Sequence, residues 1–160
     1  MFTQPYWIEW QGSGRLAVSP RPRGGDWLED ELEAWRAGGV EVVVSLLMSD
    51  EALDLLLERE AEFCRSAGLE FRSFPIEDRS VPKSAEEALA FVQEMADLLQ
   101  EGKSILVHCR QGIGRSGLIA VALLTRVGLT LEDALAAVSR TRGLTVPETE
   151  EQLGWLKARV

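Results

Sequence analysis

The sequence predicts an α/β fold, a three-layer sandwich with a central, mostly parallel sheet of about five strands flanked by helices. Three observations carry this. Short apolar runs rich in β-branched residues alternate with segments whose apolar residues recur at helical spacing. The helical segments fall between the strands, which demands parallel pairing through crossover connections. The 160 residues, 46% apolar and 27% charged, suffice to bury a core, and they read as one domain over 1–160.

Taken in order, residues 6–10 and 15–18 read as short strands, separated by the turn signal Gln11-Gly12-Ser13-Gly14. Residues 19–25 carry two prolines and two glycines and make a loop. Trp27, Leu28, Leu32 and Trp35 repeat at helical spacing up to Gly38-Gly39. Residues 40–47, with Val42, Val43 and Val44, read as a buried strand. Ser49 is expected to cap one helix reaching Ala67, closed by Gly68. A strand over 69–74 and a charged loop over 75–82 follow. Ser84 and Glu87 form a capping-box pattern for a third helix, which Gly102 ends. Residues 104–107 are a strand, 109–115 a glycine-bearing loop and 116–127 a strongly apolar helix. Helices over 130–140, with Thr130 and Asp133 as a capping box, and over 148–158 complete the chain.

Composition excludes several function classes. A net charge of -9 argues against nucleic acid as a partner. No apolar run approaches the ~20 residues of a membrane span, and the N-terminus lacks a signal-peptide pattern. Two cysteines imply no disulfide framework and fit a reducing, cytoplasmic setting. The lone histidine and the lack of a ligand-spaced cluster predict no metal, and no cofactor is expected. A monomer is expected.

The informative stretch is Ile105-Leu106-Val107-His108-Cys109-Arg110-Gln111-Gly112-Ile113-Gly114-Arg115-Ser116-Gly117. An apolar strand stops, a short loop with glycines follows, and an apolar helix begins. That order aims backbone N–H groups and the positive end of a helix dipole into one concavity, which suits phosphate, sulfate or a vanadate-like anion. Cys109 sits at its mouth, where the same field favours a thiolate. Arg115 returns to the pocket with a planar fork that takes two phosphate oxygens at once. His108 is expected beneath the loop, bonding loop backbone, and Ser116 within reach of the sulfur. A dinucleotide loop, suggested by Gly112-x-Gly114-x-x-Gly117, leaves His108, Cys109 and Arg115 without purpose.

This segment resembles the His-Cys-x5-Arg-Ser/Thr-Gly signature of the protein tyrosine phosphatase superfamily, and the neighbouring features resemble its small dual-specificity-like branch. The resemblance implies the Cys-based phosphatase fold. It implies Cys109 as nucleophile, Arg115 as phosphate clamp, and the backbone of Arg110, Gln111, Gly112, Ile113 and Gly114 as pocket lining. The branch keeps an acid in a loop upstream of the nucleophile. Asp78, between Pro75 and Pro82, matches that position, with Glu77 in reserve. The stretch from Arg142 through Val146-Pro147-Glu148-Thr149 to Gln152 resembles the segment lying against the active site, where Gln152 would orient water or stand as a surface residue. Thr149 reads as an N-cap. Arg21 and Arg23 border the pocket region or are solvated, and Cys64 is a core residue or a redox partner of Cys109.

The function expected is a phosphomonoesterase acting through a phosphocysteine intermediate on a phosphorylated protein. Phosphotyrosine is favoured and serine or threonine also allowed. The alternatives are a phosphoprotein-binding module without turnover, a phosphatase of a lipid or small-metabolite phosphate, or a rhodanese-like sulfur transferase.

Overall fold

The inner strands form where short runs of β-branched and apolar residues allow both faces to be buried, and the two edge strands are more exposed. The computed structural model describes residues 2–160. Its strands are β1 (Tyr6–Trp7), β2 (Arg15–Ser19), β3 (Val42–Ser45), β4 (Glu70–Ser73) and β5 (Ser104–His108), joined in one sheet of order β1-β2-β5-β3-β4. β1 runs antiparallel to β2, and the other pairings are parallel. Side chains alternate across the pleat. Leu16, Val18, Val42, Val44, Ile105 and Val107 enter one core, while Ala17, Val43 and Leu106 enter the other.

Helices cover both faces. The first core packs α4 (Ala85–Gln100), α5 (Arg115–Arg126), α6 (Leu131–Arg142) and α7 (Glu150–Arg159) through residues such as Met95, Leu123, Val138 and Leu156. The second packs α1 (Leu28–Ala37) and α3 (Glu60–Ala67) through Leu32, Trp35 and Cys64. Every residue of α5 from Arg115 to Leu124 is buried, as expected of a helix lodged between sheet and outer helices. β5 is the hub of the sheet. Its last residue, His108, pairs with Ser19 of β2 and Ser45 of β3, so three strands end level. Such a carboxyl-end edge is where α/β sheets place their sites.

Several elements differ from expectation. The helix expected from Ser49 to Ala67 is broken into α2 (Ser49–Asp54) and α3. Between them Leu56 takes a left-handed backbone, φ 59°, leaving its side chain exposed and turning Leu57 into the core. The Gly25 N–H donates to the Leu56 carbonyl at 2.9 Å, so the break is docked on the turn that precedes α1. Apolar periodicity does not register such a break, because Leu55, Leu56 and Leu57 look alike to it. Ser49 is not the cap: the Glu51 carboxylate instead accepts the Met48 N–H at 3.1 Å. Ser84 and Thr130 each accept the expected N–H, from Glu87 and Asp133, without a reciprocal bond. Thr149 and Gln152 close both bonds of a capping box at α7. The first strand shrinks to two residues.

The break gives a test whose sign is diagnostic. Leu56→Gly should leave stability to urea within about 0.5 kcal/mol of the parent or raise it, because glycine relieves the left-handed backbone. In a continuous helix the same change would cost about 1 kcal/mol. Leu57→Ala should cost about 2–5 kcal/mol.

Candidate active site

The site is built where β5 ends and α5 begins. The Leu46 N–H donates to the His108 carbonyl at 3.0 Å, anchoring the strand end. The loop 109–114 is then gripped from outside through its carbonyls. The Arg110 carbonyl accepts the Arg21 N–H at 3.2 Å. The Gln111 and Gly112 carbonyls accept the Arg142 guanidinium at 3.3 and 2.8 Å. In a planar trans peptide the next N–H points the opposite way. The amides of Gln111, Gly112 and Ile113 therefore turn toward the concavity, and none of them has a backbone partner among the described residues. Successive amides turned inward in this way form a nest of the kind that accepts an anion. Gly112 makes the close approach possible. Its φ is 73°, and a Cβ there would lie 2.5 Å from the Ser19 carbonyl carbon and 2.6 Å from the Pro20 nitrogen.

The pocket above the nest is lined by Asp78, Arg79, Cys109, Arg110, Gln111, Gly114, Arg115 and Glu148. Gly112 and Ile113 are in the loop but outside this lining, Ile113 packing against the first core. Cys109 is 3% exposed, and its Sγ lies 3.3 Å from the Ser116 hydroxyl oxygen. Arg115 is 1% exposed. Its Nη1 donates to Glu51 Oε1 at 2.7 Å and to the Ile76 carbonyl at 2.9 Å, and its Nη2 to Glu51 Oε2 at 3.0 Å and Asp78 Oδ1 at 3.1 Å.

The electrostatics follow from these bonds. Burial pushes the Glu51 carboxyl upward. The Arg115 hydrogen bonds, the Met48 N–H and the charges of Arg115 and Arg110 outweigh it and hold the group below the usual carboxylate range. Burial works against the Arg115 charge, but Glu51, the Cys109 sulfur and Asp78 together hold it more firmly protonated than usual. Arg110 is half-exposed at the rim, with its Nη1 3.8 Å from Glu51 Oε2.

The loop that carries Asp78 is latched over the pocket from the C-terminal side. Asp78 is 54% exposed apart from its Arg115 contact, and the next residue, Arg79, adopts φ 61° and pairs with Glu148 at 3.1 Å. Gln152 is fully buried, not a surface residue. Its Oε1 accepts the Glu148 and Thr149 N–H groups at 3.1 Å each, and its Nε2 donates to the Ser80 carbonyl at 3.0 Å. It lies directly behind Gly114, where a Cβ would sit 3.2 Å from both ends of its amide. Glu77 points elsewhere, its Oε1 4.0 Å from Lys83 Nζ.

His108 lies beneath the loop with 0% exposure, but its strong partner is not loop backbone. Nδ1 is 3.4 Å from the Cys109 carbonyl oxygen, whereas Nε2 is 2.7 Å from Glu60 Oε2. Arg23 turns away from the pocket, pairing with Glu31 at 3.3 Å and stacking on Trp27. Cys64 sits in the second core and Cys109 in the first, so the two thiols lie on opposite faces of the sheet. Burial, then Glu60, pushes the Cys64 thiol upward. Among the described residues no group of three or more His, Cys, Asp and Glu is placed to hold a metal ion, and no helix is long and apolar enough to cross a membrane.

Sequence reasoning missed Glu51 and Glu60. Both are acidic residues in a chain rich in acids, and only their tertiary neighbours distinguish them. Arg142 opens a stretch that stands out in the sequence, but its grip on the loop exists only in the folded chain.

A family model described as the DSP-PTPase phosphatase of polymorphic toxin systems matches residues 19–129, which take in Asp78 and the whole Cys109–Arg115 loop. The crystal structure of Tk-PTP in its active form superposes with a TM-score of 0.74 at 32% identity, covering 96% of this chain and 95% of that one. A kinase-associated phosphatase whose catalytic cysteine is replaced by serine gives a TM-score of 0.86 at 18% identity, over 98% and 93% of the two chains, a likeness of fold. A protein of invertebrate iridescent virus 6 that carries a tyrosine-phosphatase name is 27% identical over 147 residues, 89% of this chain and 52% of its own. The chain thus spans about half the length of that relative.

Two outcomes test the site. Gly112→Ala should cost about 1–3 kcal/mol in urea unfolding and weaken binding of inorganic phosphate, because the loop must leave Ser19 and Pro20. Glu51 contributes stability that is fully present above the ordinary glutamate range and is lost as pH falls below it, since its folded value is depressed. Glu51→Gln should therefore flatten the acid limb of a stability–pH curve, and an unchanged limb would contradict the pairing.

Proposed function

We propose, for a chain that belongs to the family of DSP-PTPase phosphatases, a phosphomonoesterase that works through a phosphocysteine intermediate. The observation that carries this is the pocket itself, where Cys109 Sγ, an inward-turned set of amides and the Arg115 fork face one concavity with Asp78 at its edge. An approaching phosphate takes the Nε and Nη2 edge of Arg115, now shared with Asp78, and the amides from Arg110 to Gly114 receive its oxygens. Asp78 is thereby released toward the ester oxygen. Cys109 Sγ attacks phosphorus, the P–O bond to the leaving group breaks, and Asp78 gives that oxygen its proton. Water then attacks the phosphocysteine with Asp78 taking its proton. The P–S bond breaks, and the Ser116 hydroxyl donates to the departing sulfur.

Arg115 stabilises the equatorial oxygens in both steps. Glu51 holds the guanidinium in plane from behind. His108 supports the strand end from which Cys109 is launched. Gln152 acts by tying the acid loop to the C-terminal segment behind Gly114, which places the attacking water's side of the pocket. The substrate is a phosphorylated protein, with phosphotyrosine first and serine or threonine esters within reach. A second reading, a phosphorylated polyol or small metabolite, is favoured by one observation: the lining carries no aromatic or aliphatic side chain to hold an aryl ring.

The test is hydrolysis of p-nitrophenyl phosphate. Cys109→Ser should abolish it, and Asp78→Asn should lower kcat on an alkyl phosphate about 100-fold with little change in KM. Activity surviving Cys109→Ser would overturn the reading. A binding module would hold phosphopeptides without releasing phosphate from either substrate. Comparing phosphotyrosine, phosphoserine and inositol phosphates by kcat/KM separates the two substrate readings.

A further inference from the structure

The break between α2 and α3 has a product: it delivers a carboxylate to the underside of the nucleophile. Leu57 turning into the core starts α3 at Glu60. Glu60 is 3% exposed, on the face of the sheet opposite the helix that carries Arg115. Its Oε2 lies 2.7 Å from Nε2 of His108, the residue that ends β5 and precedes Cys109. The imidazole is wholly buried, with Trp35 tilted against it at 6.1 Å between ring centroids. With the Glu60 carboxylate as acceptor, this short contact puts the ring proton on Nε2. A buried carboxylate without such a donor would be costly, and this chain spends one here.

We infer that Glu60 is a positioning residue for the reaction proposed above. It fixes the ring plane and the Nε2–H tautomer of His108, and through the His108 backbone it sets the direction in which Cys109 enters the loop. The groups facing the ring are the Glu60 carboxylate, the Cys109 carbonyl 3.4 Å from Nδ1, and Trp35. The inference rests on Cys109 being the nucleophile, yet the pairing itself is a property of the folded chain.

His108 is the chain's single histidine, so its ring gives one unambiguous set of NMR signals. The wild-type protein labelled with nitrogen-15 should show a slowly exchanging proton on Nε2. A ring with Nε2 unprotonated would overturn the inference, whatever the variants do. In kinetics with p-nitrophenyl phosphate, Glu60→Ala should lower kcat about tenfold while the inhibition constant of inorganic phosphate stays within about twofold. Glu60→Gln, which keeps an acceptor, should restore most of the rate. The double variant Glu60→Ala with His108→Ala should be no slower than His108→Ala alone, because the two act as one unit. Multiplicative losses in the double variant, or an unchanged kcat in folded Glu60→Ala, would refute the role. Activity that survives Cys109→Ser would instead sink the underlying reading and leave the NMR result standing.

Discussion

A guanidinium taken almost wholly out of water is the constraint around which this molecule is arranged. Arg115 opens α5 with 1% of its surface exposed. A charge so placed must be paired and have its donors satisfied, or the fold loses several kcal/mol. Glu51 from α2 meets it in a bidentate grip, the Ile76 carbonyl takes a further proton, and Asp78 takes another at the pocket edge. One side chain thereby holds α2, the loop carrying Asp78 and the start of α5 in register. The same grip leaves its remaining edge toward the loop that begins with Cys109.

The arrangement explains how a chain of net charge -9 could offer a bed for an anion. Long-range attraction is not needed. The binding groups are backbone amides turned inward because their carbonyl neighbours are held from outside by Arg21 and Arg142, together with the dipole end of a ten-residue buried stretch of helix. Acids sit next to the bed without spoiling it because each is matched. Glu51 is matched by Arg115, and Glu148 by Arg79. Ion pairs at the rim, such as Arg79 with Glu148, are exposed and screened, whereas the Arg115 pair is buried and persists.

How legible all this is in the sequence depends on how local each feature is. The loop from Cys109 to Arg115 is readable because one short segment carries nucleophile, glycines and arginine at fixed spacing. Thr149 is readable as a cap because its partner Gln152 lies three residues on. The inner strands of the sheet are readable because their apolar runs are continuous. The break at Leu56 is not, since its cause is a docking contact with Gly25 some thirty residues away. Glu51 and Glu60 are hidden for the same reason: their partners, Arg115 and His108, lie 64 and 48 residues distant. Gln152 shows its identity but not its direction. Burial turns it inward to serve backbone groups on two segments, a role that surface spacing does not reveal.

The central claim is that phosphorus passes through the Cys109 sulfur. Rapid acid quench of the Asp78→Asn variant with a phosphotyrosine peptide, followed by peptide mass analysis, tests it most directly. The account predicts phosphate on the peptide that contains Cys109 and on no other. Phosphate found on a different residue, or turnover with no phosphorylated Cys109 at any quench time, would contradict it.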